Sequence, residues 1–342
     1  MNKPKVTIFM PVYNSEEFIS ETVESILSQT FTDYEFLIVD DGSTDKTLDI
    51  IERYNDPRIK VVKNEKNMGL PYTRNLGLQL SRGEYFALID ADDICYKDRI
   101  KTQVDFLDNN DNVGVVSTHV KVFGKMSIKD NIRLHAFFNK KLNSEEIKAK
   151  LIFSNFISNP SAMIRKSVLI ENNIKYRAEY SSGQDYGLWI DLLTKTNFHI
   201  ISKKLLKYRF GHGNVTQKSK SKREAIHKIL SKQLFENINL SYNEDDINAL
   251  TTIMLKNKDV NNITDLENIY ALLEKLCNHN IENGIFNNSL LMKEIQMQRY
   301  YFFVNAKLNN ISLENTKYKF ERLNAIDKLV IYIKVWFKHM KK

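Results

Sequence analysis

The chain has 342 residues, 42% hydrophobic and 27% charged, with 50 Lys and Arg against 42 Asp and Glu for a net charge of +8. That size suits one large domain with a smaller companion, or two domains, and the composition excludes collagenous, disulfide-rich and broadly disordered classes. The positive balance favours anionic partners such as nucleotides, phospholipid surfaces or nucleic acid, and no apolar run reaches the roughly 18 to 20 residues that a membrane-spanning helix requires.

Short apolar runs at Val6–Pro11, Glu35–Val39, Ile59–Lys63 and Tyr85–Ile89 read as strands of a sheet covered on both faces. Helical spacing fills the gaps. The first helix starts near Ser15 and turns Phe18, Ile19, Val23, Ile26 and Leu27 inward. The second follows Ser43, Thr44 and Asp45 with Leu48, Ile51 and Tyr54, and the third carries Pro71 in its first turn and Leu76 and Leu80 inward. Repeated βαβ units build an open, twisted, mostly parallel sheet, which binds ligands beyond the carboxyl ends of its strands. Further on, Val113–Ser117 and Ala162–Arg165 read as strands and Asp185–Thr196 as a helix. From about Ser219 the chain is rich in Asn, Lys, Leu and Ile with Gly284 its one glycine, which predicts several helices joined by Asn-rich turns at Asn261–Asn262 and Asn287–Asn288. A boundary therefore falls near 217, with an α/β region at 1–217 and a helical region at 218–342.

The residues just after each strand are Pro11, Tyr13 and Asn14, then Asp40 and Asp41, then Asn67 with Arg74 beyond, then Asp90, Asp92 and Asp93. All should share one rim. The DADD run of Asp90, Ala91, Asp92 and Asp93 places like charges at the end of a buried strand, a cluster stable when a cation compensates it or when the loop is well solvated. An oxygen-only site suits Mg²⁺ or Mn²⁺, with a nucleotide diphosphate supplying the remaining ligands; the competing reading is a solvated turn in which Asp92 or Asp93 caps a helix starting near Lys97. Asp98 reads as a plain helix residue. Arg74 is a cation matched to phosphate or to one of the aspartates, or else a surface ion pair. No G-x-G-x-x-G follows the first strand and no G-x-x-x-x-G-K-[ST] occurs, which removes dinucleotide and P-loop readings, and the scattered basic residues make no nucleic-acid module.

In order and spacing FMPVYN (9–14), VDDGSTD (39–45), NMGLPYTRNLG (67–77) and DADD (90–93) resemble the family 2 glycosyltransferases and their GT-A nucleotide-binding fold, strongly to residue 100 and more loosely to about 215. The resemblance implies that Pro11, Tyr13 and Asp41 frame a uracil and ribose with Asn67 and Arg74 nearby. Asp90 would touch the ribose, Ala91 would line the donor pocket, Asp92 would ligate Mn²⁺ or Mg²⁺, and Asp93 would shape that metal site or the donor sugar pocket. It also implies an acidic general base at Asp185 in GQDYGLW (183–189), where Trp189 fits and Gln184 stands in place of the usual glutamate; the plain alternative for Asp185 is a helix N-cap. In YRFGHGNVTQ (208–217), His212 would complete the metal shell or donate to phosphate, or is structural, and Lys218, Lys220, Lys222 and Arg223 would cover the phosphates or form a solvated loop.

The last sixteen residues, DKLVIYIKVWFKHMKK (327–342), set Leu329, Val330, Ile333, Trp336, Phe337 and Met340 on one helical face with lysines largely off it. That pattern fits a peripheral membrane anchor, or equally a helix docked on the domain or on a second copy of the chain. Two distant cysteines, Cys95 and Cys277, and no signal-peptide pattern after Met1 point to a reducing cytosol, at most peripheral to the inner face of the cell membrane, with Cys95 as inert packing. The expected activity is inverting, metal-dependent transfer from a UDP-sugar to a glycan or lipid-linked glycan acceptor in surface polysaccharide synthesis. The alternative is a non-catalytic nucleotide-sugar-binding or assembly protein.

Overall fold

Apolar strands and amphipathic helices alternate through the first hundred residues of the computed structural model, which describes residues 3–211, 220–255, 260, 262–311, 328–329, 331–332 and 335. Strands β1 (Val6–Val12), β2 (Tyr34–Asp40), β3 (Ile59–Lys63) and β4 (Tyr85–Leu88) form a parallel set, and helices α1 (Ile19–Leu27), α2 (Thr47–Ile51) and α3 (Leu70–Leu80) connect them. Next come β5 (Ile94–Cys95), α4 (Arg99–Asp108), β6 (Val113–Gly124), α5 (Ile128–Phe138), α6 (Ser144–Leu151), β7 (Met163–Arg165), α7 (Lys166–Glu171), α8 (Gln184–Leu192) and β8 (Asn197–Phe210). The sheet order is β3-β2-β1-β4-β7-β6-β8-β5, with β7 antiparallel to both its neighbours and β6 parallel to β8.

Strand order reverses between β1 and β4, and Pro11 sharpens that switch point. Ile89 N donates to Phe9 O at 3.1 Å. The next bond of such a ladder would come from residue 11, and proline has no N–H to give, so the two strands part there. The core on which they rest is apolar on both faces: Ile8, Phe9, Met10, Phe36, Ile38, Phe86 and Ala87 are all 0% exposed.

Several elements differ from the sequence reading, each for a local reason. Helix α1 starts at Ile19 after a turn in which Ser15 O accepts from Phe18 N and Ile19 N, so Ser15 precedes the helix without capping it by its side chain. Tyr54 lies past the end of α2. On α3 the inward side is Thr73, Arg74 and Gly77, while Leu80 is 40% exposed, because the ring of Phe9 fills the space where a Cβ on Gly77 would come within 2.0 Å. Strand β6 runs on to Gly124, and α8 stops at Leu192, short of Thr196. Asp98 takes the N-cap position of α4, and its Oδ1 accepts from Thr30 Oγ1 at 3.1 Å. Cys95 is buried and Cys277 half-buried, and the two are not joined in a disulfide.

Contacts divide the chain into two units, Met1–Ser144 with Asn155–Lys218, and Glu145–Ser154 with Ser219–Lys342. The second contains α9 (Lys220–Asn237), α10 (Glu244–Leu255), α11 (Ile263–Asn283) and α12 (Asn288–Leu308). Asparagines punctuate it as expected. Asn262 Oδ1 accepts from Asp265 N at 2.9 Å, Asn287 Oδ1 accepts from Leu290 N at 3.1 Å, and Gly284 ends α11 at a φ of 62°. Asn261 and most of the basic terminal segment lie outside the described residues. Within that segment Ile331 and Val335 pack on Val304, whereas Leu329, on the face expected to be apolar, is 58% exposed. Among the described residues no helix is long and apolar enough to cross a membrane.

Candidate active site

Two loops close one side of the rim. Asn14, at a φ of 47°, donates its N–H to Ser43 Oγ at 2.9 Å and accepts from Thr44 N at 2.8 Å, which ties the end of β1 to the loop after β2. Gly42 adopts a φ of 75°, and a Cβ there would lie 2.6 Å from the Lys66 carbonyl carbon, so only glycine allows this approach. Pro11 is half-buried and Tyr13 is 47% exposed, its ring open at the mouth.

Asp40 and Asp41 are both buried, and both hold backbone. Asp40 accepts from Ser43 N at 3.1 Å; Asp41 Oδ1 accepts from Asn64 Nδ2 at 2.8 Å and Met68 N at 2.9 Å, and Asp41 Oδ2 from Gly69 N at 2.9 Å. At the start of α2, Asp45 Oδ1 accepts from Thr47 N at 3.0 Å. Asn67 is exposed on the loop that Asp41 shapes.

Arg74 is brought to the DADD turn. Its side chain is 6% exposed, with Nη2 3.7 Å from Asp90 Oδ1, Nη1 donating to Gln184 Oε1 at 3.4 Å, and the guanidinium 5.3 Å from the Tyr176 ring centroid. The surface-pair alternative is therefore overturned: α3 turns this residue inward. Asp90 keeps 34% of its side chain exposed yet sits deep among protein atoms, and that loss of water pushes its carboxyl up to about 6. Arg74 pulls the other way, while Asp92 and Asp185 add to the rise.

Asp93 is 1% exposed, and burial, with Asp92 and Asp90 beside it, holds its carboxyl well above the usual range. Its Oδ1 accepts from Arg209 N at 2.8 Å, and its Oδ2 is buried without a partner among the described residues. Ala91 O and Asp93 O both accept from Thr22 Oγ1, at 2.9 Å and 2.8 Å, so the turn is held by α1 as well. Asp92 is half-buried. The helix-capping alternative for Asp92 and Asp93 does not hold, since α4 begins at Arg99 with Asp98 at its N-cap.

Residues not singled out from sequence organise this turn. Arg209 Nε donates to Asp92 O at 2.8 Å, its Nη2 pairs with Glu21, and its guanidinium lies 4.4 Å from the Phe18 ring centroid and 4.5 Å from that of Phe123. Arg99, fully buried, donates to Leu88 O at 2.7 Å and Ala162 O at 3.2 Å, fixing the end of β4. The YRF of residues 208–210 was the available signal for Arg209; nothing local marks Arg99.

On α8, Gly183 at a φ of 73° is the N-cap, and Asp185 falls in the first turn with Oδ2 accepting from Asn155 Nδ2 at 2.8 Å. Asp185 is thus no cap. Gln184 is buried, its Nε2 donating to Tyr180 O at 3.0 Å, and Trp189 is 0% exposed in the core behind. His212 and Lys218 lie outside the described residues, and Lys222 and Arg223 belong to α9.

Among the described residues no three His, Cys, Asp or Glu side chains are grouped to cage a metal by themselves. The donor set still fits a hard cation that shares its coordination with phosphate: carboxylate oxygens only, one of them, Asp93 Oδ2, buried and unpartnered.

A family model described as glycosyl transferase family 2 matches residues 7–172. An uncharacterized glycosyltransferase of Methanocaldococcus jannaschii is 35% identical over 214 residues, 61% of this chain and 72% of that protein. TuaG, a provisionally named teichuronic acid biosynthesis glycosyltransferase of Bacillus subtilis, is 42% identical over 107 residues, 31% of this chain and 42% of that protein. The solved structure of S. aureus TarS residues 1–349 in complex with UDP-GlcNAc superposes with a TM-score of 0.60 at 19% identity, covering 98% of this chain and 92% of that one, a likeness of fold.

Proposed function

The chain belongs to the family 2 glycosyltransferases, and on that premise we propose an inverting, metal-dependent enzyme that transfers a sugar from a UDP-sugar to a hydroxyl of a glycan or lipid-linked glycan. The observation that carries this reading is buried Arg74, 3.7 Å from Asp90 and hydrogen-bonded to the residue before Asp185. A guanidinium in that place binds the diphosphate side of a donor, and a carboxylate one residue beyond its partner serves the acceptor side.

In the proposed reaction Asp185 takes the proton of the acceptor hydroxyl as that oxygen attacks the anomeric carbon. The bond from that carbon to the diphosphate breaks on the opposite face, so the configuration inverts and UDP leaves. Arg74 meets the charge growing on the diphosphate, the electrostatic contribution that dominates such catalysis. Asp92, with Asp93 beside it and His212, would hold Mn²⁺ or Mg²⁺, which when bound supplies further neutralisation of the leaving group. Tyr13, Pro11, Asp41 and Asn67 frame the nucleoside, with Asp90 at the ribose and Ala91 and Asp93 along the sugar pocket. UDP-GlcNAc bound to TarS and the name of TuaG support a UDP-sugar donor and a surface polysaccharide product. We place the transferase region at 1–217 and a helical region at 218–342, working in the cytoplasm, with peripheral contact at the inner membrane face or with a second copy through the terminal helices.

D185N tests the assignment. Calorimetry should find UDP bound as tightly as by the wild type, while UDP release in the presence of acceptor falls by at least about 100-fold. Wild-type turnover in D185N would overturn the reading.

A further inference from the structure

A base must be aimed as well as ionised, and one side chain aims this one. Asn155 lies in the stretch between α6 and β7 and donates Nδ2 to Asp185 Oδ2 at 2.8 Å. Its own Oδ1 is buried and without a partner among the described residues. That combination is informative. An asparagine kept to hold a loop together satisfies its carbonyl oxygen with a nearby N–H, because a buried unpaired acceptor is costly. Among the described residues the hydrogen bonding of the carboxamide goes to the carboxylate alone.

We propose that Asn155 is a positioning residue for the transfer reaction: its N–H fixes the rotamer of Asp185 and occupies Oδ2, leaving Oδ1 to receive the proton of the acceptor hydroxyl. This inference rests on the reading of Asp185 as the base. Two neighbours make the orientation matter. Gln184, the preceding residue on α8, is engaged with Arg74 and Tyr180 O, so the helix start is anchored on its donor side. Asp90 is close enough for the charge of Asp185 to act on it. The bond from Asn155 Nδ2 to Oδ2 restrains rotation of the Asp185 carboxylate about its side chain.

Charge separates positioning from packing. N155D keeps the volume and shape of the side chain but sets a second carboxylate against Asp185, whereas N155A removes the donor and leaves a small void. Steady-state kinetics and UDP calorimetry on the full chain, with the UDP-sugar that the wild type turns over, should show kcat reduced roughly 10- to 100-fold in N155A. N155D should fall further than N155A, with KM for the donor and UDP affinity unchanged in both. A packing role predicts the reverse order, N155D near wild type and N155A lowered in Tm without loss of kcat, and that result overturns the proposal. Should N155A fail to fold, N155D carries the test alone. If D185N itself turns over normally, the base assignment has failed; if D185N is dead while both Asn155 variants keep wild-type kcat, only the present inference has.

Discussion

Asp90 is held in a state that its folding does not favour. In the unfolded chain it ionises near the ordinary value of 3.8, and in the native chain at about 6. Between those values the native protein retains a proton that the unfolded chain gives up, so stability declines as pH rises through that window and stays lower at neutral pH. Because a third of the side chain reaches water, screening limits the cost to about 1 kcal/mol. D90N should therefore raise Tm by roughly 2–4 °C at pH 7 while weakening UDP-sugar binding, a trade of stability for function that a melting curve and a titration both read. A lowered Tm would mean that the Arg74 pair outweighs burial. Arg74 reaches the carboxyl-end rim of the sheet from α3, and the placement of the aspartates on the same rim was legible because they directly follow apolar strands. Asn155 was not: an asparagine inside LIFSNFIS carries no periodicity, and only the fold brings it to Asp185, 30 residues away.

At the scale of elements, the end of the sheet opposite the rim is fastened by one carboxylate. Glu35 on β2 is 3% exposed and accepts from Thr7 Oγ1 at 2.7 Å, Arg82 N at 2.7 Å, Arg82 Nε at 2.7 Å and Lys60 Nζ at 3.1 Å. Burial raises its pKa, but these donors outweigh it and bring the carboxyl down to about 2. A depressed carboxylate contributes stability that is complete above about 4.5 and is lost as pH falls toward 2. E35Q should cost about 2–3 kcal/mol in urea unfolding at pH 7, and the gap to wild type should close on acidification through that window. A gap independent of pH would refute the assignment. Strands β1 to β4 were readable from their apolar runs. Strand β8 was not, since NFHIISKKLLKYRF mixes lysine and isoleucine without a clean alternation and slips register against β6 between Thr118 and Val120. On α3 the helical spacing was right and the inward face wrong, because a glycine packed on Phe9 and a buried arginine take the place of leucines.

For the whole molecule, the parallel direction of the first four strands was legible from repeated βαβ units, and the antiparallel β7 was not, because three residues carry no sign of direction. The segment Glu145–Ser154 groups with the helical unit although it lies inside the first 217 residues, and Lys150 on α6 pairs there with Glu294 of α12. Such a long-range association leaves no mark in composition. The proposed chemistry of this two-unit chain is transfer from a UDP-sugar with a divalent cation. Purified protein with Mn²⁺, incubated with a panel of UDP-sugars with and without candidate glycan acceptors and assayed for released UDP, tests it most directly. Acceptor-stimulated UDP release is expected from at least one member of the panel, abolished by EDTA and by D185N; no binding and no turnover of any nucleotide sugar would refute the proposed activity.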